Sequence, residues 1–211
     1  MGYADSDVVA LIILGETKPE ATLLLQHVRR LACFRHFPGR CGCLGDNNRK
    51  LSLSGVVHVS TEVVAETADE MIEQAKTYFP LGEAVTIKVP CTVEGLKACK
   101  ILSDQGVKVN VTLIFSVAQA LLAAKAGAKY VSPFIGRLDD IGQNGMTLIK
   151  EIKEIFSNYT FDTQILVASV RHPLHVIDAA KIGADVVTLP PGVLDKMLQH
   201  PLTKIGLDNF L

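Results

Sequence analysis

Residues 84–113 read AVTIKVPCTVEGLKACKILSDQGVKVNVTL. Residues 84–89 form a short β-branched run stopped by Pro90, and residues 93–105 carry apolar side chains at helical spacing behind Thr92, whose hydroxyl can cap the first turn. Residues 107–113 are β-branched again. A strand, a helix of this length and a second strand make a crossover unit. Such units join parallel strands whose faces the helices cover.

Outward from this stretch, the alternation occurs six times from about residue 55. It predicts strands over residues 56–64, 84–89, 107–113, 129–134, 163–170 and 184–189. Helices are predicted over 68–78, 93–105, 116–126, 146–157, 173–182 and 193–200, with a C-terminal segment beyond. Ser116 stands where it can cap a helix, and Gly127 and Gly183 stand where helices end before a strand. Two parallel architectures compete. A doubly wound nucleotide-binding sheet calls for a glycine-rich turn after an early strand, and neither G-x-G-x-x-G nor a Walker sequence occurs. An eight-stranded barrel calls for polar residues at strand C-terminal ends, where Glu62, Lys88, Thr112, Ser132 and Ser169 sit. The chain is therefore read as a single α/β domain over residues 1–211, a (β/α)8 TIM barrel with a C-terminal helix. Two of the eight units must come from residues 1–54, which fit the pattern poorly. There residues 8–14 read as a strand or a first helix, 21–33 as a helix, and 37–51 as a loop rich in Gly, Asn, Arg and Cys.

Composition narrows the function. The 211 residues are 48% hydrophobic and 20% charged, a balance that excludes general disorder. Lys and Arg number 21 against 22 Asp and Glu, so the net charge of -1 provides no broad basic field for nucleic acid or a membrane surface. No run approaches the roughly 18 apolar residues of a membrane span, and Asp5 and Asp7 stand where a secretory signal is basic. A cytoplasmic location is expected. The five cysteines, Cys33, Cys41, Cys43, Cys91 and Cys99, are read as reduced thiols. Trp is absent and aromatics are 6%, which argues against base-stacking surfaces.

Lys88 is the most informative residue, because it interrupts an otherwise apolar strand. Desolvation lowers a lysine pKa and yields the free amine that attacks a carbonyl to form a Schiff base. An edge lysine, or one paired with a carboxylate, is the plainer reading. Glu62 ends the preceding strand, so in a barrel both open on one face as a pair able to move protons during carbinolamine formation and dehydration. A structural ion pair is the alternative. Arg137, with Ser169 and Arg171 before a helix starting at Pro173, suits an anion held by late loops and a helix N-terminus. Either arginine alone more often makes a surface salt bridge, and the anion reading rests on the two together with Ser169. Asn110 and Thr112 share a strand face and either bind a ligand or fill the barrel interior. Asp139 and Asp140 read as a solvated loop start rather than a metal pair. Cys33, His36, Cys41 and Cys43 have C-x-C spacing unlike most structural zinc sites, and His172 reads as a cap or loop residue three positions before His175. No metal or cofactor is expected.

Four motifs in order carry a resemblance: Ile87-Lys88-Val89-Pro90 with Thr92-Val93-Glu94-Gly95-Leu96; Val109 through Ser116; Tyr130 through Asp140; and Val167-Ala168-Ser169-Val170-Arg171-His172-Pro173. Over roughly residues 55–211 the chain resembles the short transaldolase family, which includes the fructose 6-phosphate aldolases. The resemblance implies a class I, metal-free Schiff-base enzyme on an α/β barrel. It makes Lys88 the Schiff-base lysine, Glu62 the acid/base carboxylate acting through a water, and Thr112 the group positioning that water. It assigns Asn110 and Ser132 to the donor sugar, and Arg137, Ser169 and Arg171 to its phosphate. The implied reaction moves a dihydroxyacetone unit from sedoheptulose 7-phosphate or fructose 6-phosphate to glyceraldehyde 3-phosphate or erythrose 4-phosphate, as in the pentose phosphate pathway. The aldolase members pair Gln with Tyr where this chain has Glu62 and Phe134, which favours transfer over release. A homo-oligomer, a pentamer or its double, is also implied.

The N-terminal part departs from the family. Tyr3-Ala4-Asp5-Ser6 is similar to its first strand, making Asp5 the candidate base for the C4 hydroxyl, with Asp7 the alternative. Lys18 stands where the family's Thr-Thr-Asn-Pro motif carries Asn. That departure leaves open a Schiff-base lyase or a catalytically weak sugar-phosphate-binding barrel.

Overall fold

The computed structural model describes residues 10–13 and 59–211. Asp5, Asp7, Lys18, the 21–33 and 37–51 segments and the candidate zinc ligands Cys33, His36, Cys41 and Cys43 lie outside the described residues.

The described strands are β1 (Ala10–Ile13), β2 (Val59–Glu62), β3 (Val85–Pro90), β4 (Val109–Ile114), β5 (Tyr130–Pro133), β6 (Gln164–Val167) and β7 (Val186–Leu189). The helices are α1 (Ala68–Lys76), α2 (Val93–Asp104), α3 (Val117–Lys125), α4 (Ile135–Asp140), α5 (Gly145–Ser157), α6 (Pro173–Ile182), α7 (Pro191–Leu198) and α8 (Pro201–Phe210). Sheet order is β1-β7-β6-β5-β4-β3-β2. Strands β2 to β7 run parallel, each joined to the next through helix, as the alternation in the sequence requires. Strand β1 pairs antiparallel with β7, whereas a (β/α)8 barrel is parallel throughout. The described sheet is thus six parallel strands, curled as in a (β/α) barrel, with one antiparallel strand on the edge.

Helix ends follow local chemistry. The Thr92 hydroxyl accepts from Gly95 N at 3.0 Å, and Ser116 and Gln119 form a reciprocal capping box. Gly183 closes α6 at φ 81°, a left-handed conformation that costs a residue with Cβ. Helix α5 buries Leu148, Ile149, Ile152 and Phe156 along one stripe and leaves Lys150, Glu151 and Glu154 in solvent. Each full burial of such a side chain is worth about 1.5–3 kcal/mol.

The register separates the two sheet faces. Glu62 pairs with Lys88, Lys88 with Asn110, Asn110 with Tyr130 and Tyr130 with Gln164, and opposed residues in parallel strands point the same way. The other face carries Val85, Ile87, Val89, Val109, Val111, Val131, Ile165 and Val167 against the helices, forming the main core. Curvature is evident across β3: the Asn110 amide on β4 donates to Ser60 Oγ on β2 at 3.1 Å. Strands two apart in a flat sheet lie about 9.5 Å from each other, so this contact requires the sheet to close towards its polar face.

Candidate active site

The concave face is polar over β2 to β5. Glu62, Lys88, Asn110 and Thr112 lie there in register, with Ser60 and Ser132 beside them. Lys88 Nζ stands 3.4 Å from Glu62 Oε2, with side chains 24% and 31% exposed. Lys88 is thus partly enclosed and paired with a carboxylate, which fits both readings of it from the sequence.

Asn110 is held from both sides. Ser132 Oγ donates to its Oδ1 at 2.7 Å, and its Nδ2 donates to Ser60. Two hydroxyls thereby fix the amide orientation, leaving the second Nδ2 hydrogen for a ligand. Thr112 is fully buried, and its Oγ1 has no hydrogen-bond partner among the described residues. Just after it the β4–β5 register shifts at a bulge, and Leu113 takes φ 58°, a conformation unusual for a leucine. A buried hydroxyl with no partner among the described residues, on the sheet face of the amine–carboxylate pair, fits a place for one small polar group.

The loops after β5 and β6 form the second half. Phe134 bridges Ala168, its N–H donates to Ile114 O at 3.0 Å, and its ring packs on the small interior cluster of Leu166, Ala168 and Val186. The Arg137 guanidinium carbon lies 5.2 Å from the Phe134 ring centroid, within cation–π range. Ser169 has φ 62°, and its carbonyl accepts from Gly136 N at 3.1 Å. Gly136 has no room for a side chain: a Cβ there would lie 2.1 Å from Ser169 O and 2.5 Å from Arg171 Nε. Arg171 Nη2 donates to Asp140 Oδ2 at 2.7 Å.

Asp139 and Asp140 are exposed, as read, but they are not a loop start: they end α4, where Asp140 pairs with Arg171 and Asp139 faces His175 at 3.1 Å. His172 is the N-cap residue of α6 without a side-chain cap bond, as a cap or loop position implies. His175 is buried, and desolvation first, then the charge of His172, holds its pKa below the ordinary imidazole value. Asp139 and Asp178 oppose that shift, and Arg171 adds to it. Ser60 carries no functional reading in the sequence, and His175 is weighed there only with His172 as a metal pair. Ser60 was detectable as the residue two before Glu62, on the same strand face.

Among the described residues no group of three His, Cys, Asp or Glu side chains stands ready for a metal. Cys91 and Cys99 are free thiols, and burial pushes the Cys99 thiol up to about 12. No helix among the described residues is long and apolar enough to cross a membrane.

Comparison with known proteins bears on this arrangement. The family model described as Transaldolase/Fructose-6-phosphate aldolase matches residues 48–209. A probable transaldolase of Nitrosopumilus maritimus (strain SCM1) is 70% identical over 154 residues, covering 72% of this chain and 69% of that protein. Probable transaldolases of Anaeromyxobacter sp. (strain Fw109-5) and Methanococcus vannielii are 60% and 61% identical over 153 residues, each covering 72% of this chain and 71% of the relative. A solved mandelate oxidase mutant overlays with a TM-score of 0.48 at 16% identity, covering 68% of this chain and 52% of that one, a likeness too loose to bear on fold or chemistry.

Proposed function

Since the chain belongs to the transaldolase/fructose-6-phosphate aldolase family, we propose that it transfers a dihydroxyacetone unit between sugar phosphates through a Schiff base on Lys88. The observation that carries this reading is the Lys88–Glu62 pair at 3.4 Å on the same concave face as Asn110, Thr112 and Ser132. The reading takes the six parallel strands as part of a closed (β/α)8 barrel.

In this mechanism the Lys88 amine attacks C2 of a ketose phosphate. The carbinolamine loses water, with Glu62 relaying protons through a water that Thr112 Oγ1 holds. Removal of the C4 hydroxyl proton, assigned to Asp5, breaks the C3–C4 bond. The electron pair passes into the iminium, the aldose phosphate departs, and a three-carbon enamine remains on Lys88. That enamine attacks the aldehyde carbon of an acceptor, and hydrolysis returns the free amine. Asn110, fixed by Ser60 and Ser132, orients the donor hydroxyls, and Phe134 forms the apolar wall beside them. Arg137, Ser169 and Arg171 hold the phosphate, where arginine forks match its oxygens. The substrates place the reaction in the pentose phosphate pathway, in the cytoplasm. Exposed Leu202, Ile205, Leu207 and Phe210 on α8 support a homo-oligomer.

Product analysis separates transfer from release. With fructose 6-phosphate and erythrose 4-phosphate the protein is expected to form sedoheptulose 7-phosphate and glyceraldehyde 3-phosphate, with little dihydroxyacetone when the acceptor is omitted. Equal dihydroxyacetone release with and without acceptor would assign the lyase reaction instead.

A further inference from the structure

We propose that His175 and Asp139 are positioning residues for the anion site, fixing the Arg171 main chain while Asp140 fixes its guanidinium. The proposal rests on the reading of Arg171 as a phosphate contact. The segment that presents Arg171 runs from Ser169, at φ 62°, to the start of α6, so its course is set by specific bonds rather than by regular structure. One of these is the bond from Arg171 N to His175 Nδ1 at 3.3 Å.

A ring nitrogen that accepts from a backbone N–H carries no proton, so the His175 proton resides on Nε2. Nε2 faces Asp139 Oδ2 at 3.1 Å, and the other carboxylate oxygen, Oδ1, accepts from Gly145 N at 2.9 Å. Asp139 therefore selects the tautomer that can hold Arg171, and α5 holds Asp139. Burial of His175 favours the same neutral ring. The neighbouring carboxylate, Asp140, takes Arg171 Nη2 and leaves the remaining guanidinium donors for an anion. Two consecutive residues at the end of α4 thus grip the two ends of one arginine. Among the described residues none of their bonds reaches Lys88, so the effect of breaking them falls on phosphate recognition.

Asp139→Asn is the informative variant because it preserves shape. Whichever way the amide turns, its NH2 opposes either the His175 Nε2–H or the Gly145 N–H, so one bond of the chain is lost. The full-length protein, Asp139→Asn, His175→Ala, His175→Asn and Arg171→Ala are compared for KM with fructose 6-phosphate and with unphosphorylated fructose, and for inorganic phosphate binding by titration calorimetry. The expected result is that Asp139→Asn and His175→Ala raise KM for fructose 6-phosphate by about 10-fold and weaken phosphate binding in parallel, with KM for fructose moving about twofold at most. His175→Asn, whose Oδ1 can take the place of Nδ1, is expected to recover most of the loss. If Arg171→Ala leaves discrimination and phosphate binding intact, the anion-site reading fails and this proposal with it. If Arg171→Ala abolishes both but Asp139→Asn and His175→Ala do not, or if they raise both KM values equally, only the positioning role is overturned. Calorimetry reads the outcome even for a variant that turns over too slowly, and the His175 pair decides it if Asp139→Asn does not fold.

Discussion

Replacing Thr112 by valine is predicted to make the protein less active with little change in its stability. Thr112 is fully buried, and its Oγ1 has no hydrogen-bond partner among the described residues. The partner assigned to it is the water that serves Glu62, a bond worth about 0.5–1.5 kcal/mol, and valine replaces the hydroxyl with a methyl of similar size that cannot hold that water. With the lost bond offset by the apolar methyl, Thr112→Val is expected to change stability by about 1 kcal/mol at most, which for a chain of this size is a Tm shift of no more than roughly 2–4 °C. The same hydroxyl is assigned to hold the water that serves Glu62, so kcat for transfer is expected to fall about 100-fold, within the range of a lost proton-transfer aid. Urea unfolding and a coupled transfer assay on the same preparations measure both. Destabilisation by more than about 3 kcal/mol would show that the hydroxyl is bonded within the fold rather than to that water. Unchanged kcat would remove Thr112 from the chemistry.

Two further perturbations test the second half of the site. In Gly136→Ala the new Cβ falls 2.1 Å from Ser169 O, about 1.3 Å short of ordinary contact, so the Ser169–Arg171 segment must move. Overpacking of this kind costs about 1–3 kcal/mol, and a shift near 1 Å is expected to lower kcat/KM for phosphorylated donors about 100-fold, which thermal unfolding and steady-state kinetics will read. For His175, the folded-state pKa is depressed, so the unfolded chain takes up the proton first as the pH falls. Its contribution to stability is complete above the ordinary value of about pH 6.5 and is lost as pH falls through the lower folded value, with a slope of at most about 1.4 kcal/mol per pH unit. Urea midpoints measured across this window should show a slope that His175→Asn lacks.

What the sequence revealed follows the range of the forces involved. Helix α2 was legible because Thr92 caps it through a neighbour three residues away, and α3 because Ser116 and Gln119 cap each other. The Lys88–Glu62 juxtaposition was legible because strand period and parallel adjacency bring the two into register. The strand read over 163–170 ends as a ladder at Val167, since Ala168 joins only a single bridge and Ser169 turns left-handed, a conformation that a serine does not announce. The bonds of Asp139 and Asp140 were not legible because their partners are distant in sequence: Arg171 lies 31 residues from Asp140, and His175 sits on a different helix. Two acidic residues before Gly142 read locally as solvated, which they are, but nothing local shows that they end a helix. The direction of β1 was not legible either, since its four apolar residues carry no sign of their partner's orientation.

The most direct test of the account is the site of the covalent intermediate. The full-length protein is incubated with fructose 6-phosphate, reduced with borohydride, digested and mapped by mass spectrometry. The reading predicts one reduced three-carbon or six-carbon adduct, on the peptide containing Lys88, and none in Lys88→Ala. An adduct on another lysine, or none on a folded protein that still transfers, would contradict it.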